Sequence, residues 1–572
     1  EPEMMEPEPE PEPENRILVA PEFQIFTPPY FVGYLNGVAS LIQSGVGDHC
    51  DKSVGVGLSV GVSTGGRWRE ICPAGRLTWE GAANESETLQ ELNLLLTGGR
   101  LTPVAQEVVR NAYQGAAPSE QLQAAQQAIA MTPEFNTLGD PMPEQGTRQP
   151  RSHHGAATQR PYKAVVMLFL NGGADTWNMI VPQDCGLYQE YRDIRTNLAL
   201  NPDQLIKFQS TGQVCQNFGV HARFSFLKSL YDKGEAAFIT NVGALVEPVT
   251  MQQFKSGAKR RCFGLFSHSD QQNAAQTLRC QDLGTSAKGA GGRVADAVAS
   301  GTKKFATTSF SLAGTAIWSQ GVETPREIVD QRGSTRFAEF ERWRGAISNI
   351  TAQRHGNAYA EAYAEAFVNS IETTQNVGRA LDGVKLMTSY RTNTGLEREL
   401  EQVAKLITAR EGRGAERDFF FVQIGGWDMH SDLMNGLNNN FGVIDDALRG
   451  FVAEMEAQKI WDSVVFATES EFARTLDSNG RGSDHAWAGN HFIIGGGIRG
   501  GKIFNKFPKS LAVGNDHDLG RGRLIPDFPW ESMMVPIAEW MGMEADQRVD
   551  TFPNIGHFNS SHMIPRTSLF KA

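Results

Sequence analysis

The stretch Ala164-Val165-Val166-Met167-Leu168-Phe169-Leu170-Asn171-Gly172-Gly173-Ala174-Asp175 sets the architecture. Seven apolar residues follow one another and are closed by Asn-Gly-Gly, with an acid just beyond. The run is too continuous for a strand with one wet face. It fits a strand buried on both sides, as in parallel sheets covered by helices. The glycines end the strand, and Asp175 emerges past its carboxyl end, where open parallel sheets bind ligands.

Outward from this stretch the pattern repeats. Similar apolar runs occupy 236–240, 419–424, 464–467 and 492–494. Helical periodicity precedes two of them, at 396–409 and 443–457, and a last helix is predicted at about 530–541. Alternating strands and helices predict an α/β class: a doubly wound, mostly parallel sheet with flanking helices, over 160–572. Within it, 331–385 repeats Ala-Tyr-Ala-Glu and predicts a helical insertion or cap.

The first 150 residues read differently. Residues 1–15 alternate Glu and Pro, which resist helix formation and repel, so an extended acidic tail is expected. Residues 16–150 predict a small, mainly helical unit with a linker. Its helices are expected at 87–96, stopping at Gly98-Gly99, from Thr102-Pro103 onward, and at 119–131, with a strand at 53–62. This unit resembles the C-terminal end of the helical family called domain of unknown function 1800.

Net charge is −12, part of it in the tail, and no basic face is evident, so a general nucleic-acid binder is excluded. No apolar run reaches the roughly 18 residues of a membrane span. The chain begins at Glu1 without a charged-then-apolar leader, as a processed protein or a piece of a longer precursor would. The six cysteines form local pairs: Cys50 with Cys72, Cys185 with Cys215, Cys262 with Cys280. Three disulfides suit that spacing, with buried thiols as the alternative; no CxxC supports a zinc ribbon. With the sequons at Asn84, Asn349 and Asn559, they predict a secreted or extracytoplasmic glycoprotein, at a cell surface, in a periplasm or in an organelle lumen.

The chemistry follows the strand ends. Gly425-Gly426-Trp427-Asp428-Met429-His430 follows the run at 419, Ser470-Glu471-Phe472-Ala473-Arg474 the run at 464, and Ser483-Asp484-His485 precedes His491 and the last run. Carboxylates and imidazoles brought to one sheet edge suit one or two divalent ions such as zinc, manganese or magnesium. The alternative for Asp175 and Asp428 is helix capping, and for His491 a hydrogen-bonded wall position. His517, in a glycine-rich loop, is read as a surface residue.

Taken in order, these motifs, with Phe266-Ser267-His268 and Gly496-Gly497-Ile498-Arg499-Gly500-Gly501, resemble the alkaline-phosphatase superfamily. More closely, the chain resembles domain of unknown function 1501, a sulfatase-like branch. The resemblance implies that Asp175 and Glu471 hold one metal and that Asp428, His430 and His485 hold the other or the only one. It makes Ser267 the nucleophile and His268 a proton donor, and has Asn178 and Arg474 hold an anionic ester. Asp484 and His491 are read as supports behind the ligands, Asp484 because metal-bound imidazoles donate their other N–H to a carboxylate or carbonyl. Glu471-Phe472 departs from the superfamily's Asp-His, and the spacing of Asp428 and His430 is short. The expected function is a metal-dependent hydrolase of phosphate or sulfate esters, acting on an anionic small molecule or polysaccharide. The alternative is a secreted structural or interaction protein, part of a protein assembly, that keeps the fold with a non-catalytic site.

Overall fold

A computed structural model describes residues 27–46, 60–64, 67–71, 75, 79–82, 84–148, 160–281, 288–331, 333 and 336–571. The chain divides into two compact units, one of 1–149 with 336–372 and one of 150–335 with 373–572.

The second unit is the α/β domain. Its central sheet contains β1 (Lys163–Leu170), β2 (Ala236–Gly243), β3 (Thr307–Ser311), β4 (Arg326–Ile328), β5 (Arg417–Ile424), β6 (Val464–Glu469), β7 (Gly489–Ile494), β8 (Ile503–Phe504) and β9 (Phe528–Pro529). The order is β4-β3-β5-β1-β6-β7-β2-β8, with β9 also on β2. Every pairing is parallel except those of β7 with β6 and β2. β1 is buried on both faces as the apolar run predicts. Val166, Leu168 and Leu170 join one core, and Val165, Met167 and Phe169 join the other. Leu396 and Leu400 of the helix α4 (Gly395–Thr408) and Phe441 and Leu448 of α5 (Leu433–Ala457) fill the first core. Ala274 of α2 (His268–Thr277), Val294 of α3 (Ala290–Ser300) and Met533 and Ile537 of α6 (Glu531–Met541) fill the second. The sequence reading missed β3, whose Thr-Thr-Ser-Phe-Ser lacks an apolar run. It also missed a three-stranded antiparallel sheet of Ile180–Gln183, Leu205–Gln209 and Asn217–His221.

Two expected disulfides are present. Cys185–Cys215 has a Cα separation of 6.1 Å and Cys262–Cys280 one of 4.6 Å. Cys50 and Cys72 lie outside the described residues. No helix among the described residues is long and apolar enough to cross a membrane.

In the first unit, Asn84 caps Glu85–Thr97, which ends at left-handed Gly98. Thr102 caps Pro103–Gly115, and Gln121–Ala130 follows. Of the expected strand, residues 60–62 fall in Val60–Thr64, which pairs with Arg67–Ile71, and 53–59 lie outside the described residues. The segment read as an insertion or cap is helical, as Phe340–Ala352 and Ala358–Leu381. Trp343, Ile347, Phe367 and Ile371 from this segment pack with Phe31, Leu92, Val109 and Ile129 in the first unit's core.

Candidate metal centre

The parallel strands deliver their carboxyl ends to one edge. Leu170 of β1 sits opposite Ile424 of β5, and Phe169 opposite Glu469 of β6. β7 runs the other way, so the loop entering it, with Ser483-Asp484-His485, arrives at the same edge. The segments from 171, 425 and 470 and the loop before 489 therefore meet there. Two glycines let the backbones close in. A Cβ on Gly172, whose φ is +125°, would lie 2.6 Å from the Asp428 amide. One on Gly173, φ +74°, would lie 2.1 Å from the Phe472 ring.

Three imidazoles converge on Asp428. Its Oδ1 is 3.0 Å from His430 Nε2, 3.3 Å from His485 Nε2 and 3.4 Å from His268 Nε2, and the two former nitrogens are 3.2 Å apart. Each ring is anchored through its other nitrogen. His485 Nδ1 donates to the Phe266 carbonyl at 2.7 Å, His430 Nδ1 to Asp484 at 2.9 Å and His268 Nδ1 to Glu471 Oε1 at 3.0 Å. A carbonyl or an ionised carboxylate only accepts, so each Nδ1 carries the proton and each Nε2 presents a lone pair. Anchoring of this kind, imidazole N–H on carbonyl or carboxylate, is how metal-binding histidines are held.

The spacing suits a cation's coordination shell. Zinc–nitrogen and zinc–oxygen arms of about 2.0–2.1 Å in a tetrahedron give ligand–ligand edges of roughly 3.3–3.4 Å. The distances from Asp428 Oδ1 to the three Nε2 atoms and between His430 and His485 Nε2 span 3.0–3.4 Å. His268 Nε2 is buried with no hydrogen-bond partner, although its ring belongs to the cluster. Three lone pairs facing a carboxylate oxygen leave acceptors with nothing to accept, which a divalent ion resolves. The residues present therefore fit one ion held by His268, Asp428 and His485, with His430 beside Asp428 and His485.

Ionisation agrees with this. Burial would raise the Asp484 carboxyl, but hydrogen bonds from His430 and Arg521 outweigh it and hold it at about 2. Burial likewise opposes Asp428, and Arg474 more than offsets it, so that carboxyl is lowered. Burial lowers His485, favouring the neutral ring a ligand needs.

Several sequence assignments change. Asp175 is not in the cluster: it is fully buried, with Oδ2 held by Arg195 at 3.0 Å and by Ser483 Oγ at 2.8 Å. Glu471 is turned to His268, the Gly172 amide at 2.8 Å and Gln272, so it fixes the His268 ring from outside the cluster. His268, read as a proton donor, has its N–H committed to Glu471 and its free nitrogen in the cluster. Arg474 is fully buried. It donates to the carbonyls of Gly173 at 2.8 Å, Gly172 at 3.0 Å and Ser483, and pairs closely with Asp428. Both its terminal nitrogens and its Nε are engaged, four of its five N–H groups in all, so it keeps a single buried N–H and no pair of donors for a substrate. Asn178 is buried against Leu198, Tyr191 and Arg195. His491 is a wall residue: its Nδ1 is 3.3 Å from Thr468 Oγ1, its ring packs on Trp530, and burial lowers it to about 3. His517 pairs with Asp527 at 2.8 Å, half-exposed. Ser267 stands at the start of α2, directly before His268, and its Oγ meets Ser269 Oγ at 3.3 Å and caps no amide. The missed signal for His268 was its place between a turn and a helix at this edge, where a first-turn ring is held rigidly.

The family described as "Protein of unknown function (DUF1501)" matches residues 162–516. The chain belongs to this family. Among solved structures, the lipoteichoic acid synthase LtaP from Listeria monocytogenes is similar at 7% identity, covering 67% of this chain and 72% of that one, with a TM-score of 0.26. The PH0037 protein from Pyrococcus horikoshii is similar at 10% identity, covering 70% and 100%, with a TM-score of 0.24. No curated protein matches the chain. The DUF1501 match spans the whole cluster, from His268 to His485.

Proposed function

We propose that this DUF1501 protein is a metal-dependent hydrolase of phosphate or sulfate esters, built on an alkaline-phosphatase-like sheet of the sulfatase-like branch. The observation that carries this is the set of three imidazoles, each fixed through Nδ1, with their Nε2 atoms turned to Asp428. A divalent ion held there would act as a Lewis acid and favour the ionised form of a nearby hydroxyl. The chain's own part is positional. Asp484, Glu471 and the Phe266 carbonyl fix the rings, and Arg474 fixes Asp428. Ser267 is the nucleophile of this reading: its hydroxyl is spent on no cap, and the helix start behind it favours developing negative charge. The two disulfides suit an oxidising, extracytoplasmic compartment.

A second reading, a non-catalytic protein that keeps the fold, is favoured by one observation. Arg195 holds Asp175 and His268 takes Glu471, so the superfamily's second cation position lacks both of its carboxylates. Elemental analysis of the native protein, followed by hydrolysis of p-nitrophenyl phosphate and p-nitrophenyl sulfate, separates the two. Bound ion with turnover that disappears in His430→Ala/His485→Ala supports the hydrolase. Bound ion without turnover on either ester class supports the second reading, and no ion sinks the site.

A further inference from the structure

The cations around the centre differ in what they have left to give. Arg474 is fully buried, with all three nitrogens engaged and no pair of donors to spare. Arg195 is buried and divided among Asp175, Asn178 and the Thr475 carbonyl. Arg521 is already neutralised by two carboxylates, Asp477 on its Nε at 3.0 Å and Asp484 on its Nη1 at 2.6 Å. Arg481 is exposed, and no side-chain contact fixes it among the described residues.

Arg523 is different. Its Nε donates to the His485 carbonyl at 2.9 Å, and its guanidinium carbon lies 5.4 Å from the centre of the Phe266 ring. Phe266 is the residue whose carbonyl anchors His485, and it lies two positions before His268. Its backbone sits at φ +74°, an uncommon and strained conformation for a bulky side chain. The guanidinium is thus held at its root by two neighbours of the cluster, while its terminal nitrogens have no partner among the described residues.

We propose that Arg523 is the anion-recognition residue of this site, its two terminal nitrogens taking two oxygens of a phosphate or sulfate group. The proposal rests on the hydrolase reading and moves to Arg523 the role that the sequence suggests for Arg474. A planar guanidinium offers paired, parallel N–H donors that match a tetrahedral oxyanion. Charge points the same way. Asp428, Glu471, Asp484 and Asp477 place four negative charges at and beside the centre against the guanidinium groups of Arg474 and Arg521. A divalent ion only cancels that sum, and a dianionic ester needs a further fixed cation. Stacking on Phe266 and the bond to the His485 carbonyl reduce the entropy lost when Arg523 closes on an anion.

The test is calorimetric titration of inorganic phosphate and, separately, inorganic sulfate into the ion-loaded full chain, with metal content measured alongside. Arg523→Met is expected to keep the wild-type metal content and to weaken the preferred anion about 10–100-fold, the size of hydrogen bonds to a charged group. Arg523→Lys recovers part of that loss, because charge remains and the paired geometry does not. Anion affinity unchanged in Arg523→Met, or no affinity for either anion in the ion-loaded wild type, overturns the proposal and leaves the hydrolase reading standing. Loss of metal together with anion in Arg523→Met also overturns it, because the arginine would then act only through His485. A wild-type chain that takes up no ion sinks the hydrolase reading and this proposal with it.

Discussion

Asp175 and Asp428 follow neighbouring parallel strands and share a local motif, Gly172-Gly173-Ala174-Asp175 and Gly425-Gly426-Trp427-Asp428, yet the two aspartates end in opposite environments. Asp175 is fully buried and neutralised by an equally buried Arg195. The Asp428 side chain is 49% exposed and ringed by three imidazole nitrogens. Strand register fixed the edge at which each acid emerges. The partner that each acid meets decides its chemistry, and those partners come from elsewhere: Arg195 from the end of the helix Gly186–Arg195, His268 from the start of α2, and His485 from the loop before β7. The difference also couples the two acids. Asp175 holds Ser483 Oγ, and the next two residues supply the Asp484 carboxylate and the His485 ring, so the buried acid steadies the loop that serves the exposed one.

The sharpest way to break this comparison is to remove each acid and count ions. Asp428→Ala is expected to take the metal content from about one per chain to a trace, whereas Asp175→Asn, which can still accept from Ser483, keeps it. Equal loss in both variants, or two ions per chain in the wild type, would return Asp175 to the ligand set. Next in size is the ion pair. Arg195→Met leaves Asp175 charged in the interior with only the Ser483 hydroxyl on it, and breaking a fully buried pair costs about 3–5 kcal/mol. Urea titration reads this directly, and a change below about 1 kcal/mol would mean that the pair contributes little, as at an exposed site. A smaller effect is expected behind His268. Glu471→Gln keeps the shape and removes the charge that polarises the ring, so ion affinity should fall about 10–100-fold with the fold intact. Unchanged affinity would reduce Glu471 to a bond with the Gly172 amide.

The sheet was legible because burial on both faces leaves a continuous apolar run, as at 164–170 and 464–467, and such runs resist other readings. β3 was not, because Thr307, Thr308, Ser309 and Ser311 give up their apolar character while remaining buried. β7 was visible only as 492–494, and its reversed direction was not visible at all, since direction is set by partners rather than by composition. At the site, Asp428, His430 and His485 were legible from their places after or before strands. The exchange of roles between Asp175, Glu471 and His268 was not. A carboxylate and an arginine twenty residues apart carry no mark that they will meet, and Arg195 has the same sequence character as any helix-ending arginine. Arg474 misled for the complementary reason: a buried arginine whose three nitrogens are engaged by carbonyls and one aspartate looks, in sequence, like one free to bind a substrate.

The smallest expected effect concerns a second polar pair, away from the centre, where the acid forms no ion pair among the described residues. Glu531 opens α6 and is 2% exposed, with Oε1 unpartnered, and burial pushes its carboxyl up from 4.5 to about 8. His491, packed on the adjacent Trp530, is pushed the other way, from 6.5 to about 3, again by burial. Their effects on stability have opposite signs. In the unfolded chain Glu531 ionises above about 4.5 while the folded chain keeps its proton until about 8, so stability falls as pH rises across that window. The unfolded His491 takes up a proton below about 6.5 and the folded one only near 3, so stability falls as pH drops across that second window. Glu531→Gln removes the first effect and leaves the second. It is expected to stabilise the protein by about 1–3 kcal/mol at pH 8, the scale of an unsatisfied buried polar group, and to do little at pH 4. Thermal or urea unfolding of both proteins between those pH values measures it. A gain of equal size at both ends would show that packing rather than ionisation is responsible. A loss at pH 8 would mean that the carboxylate is ionised and held by Arg293, whose charge acts on it, and that the acid in this core has found a cation after all, as Asp175 did.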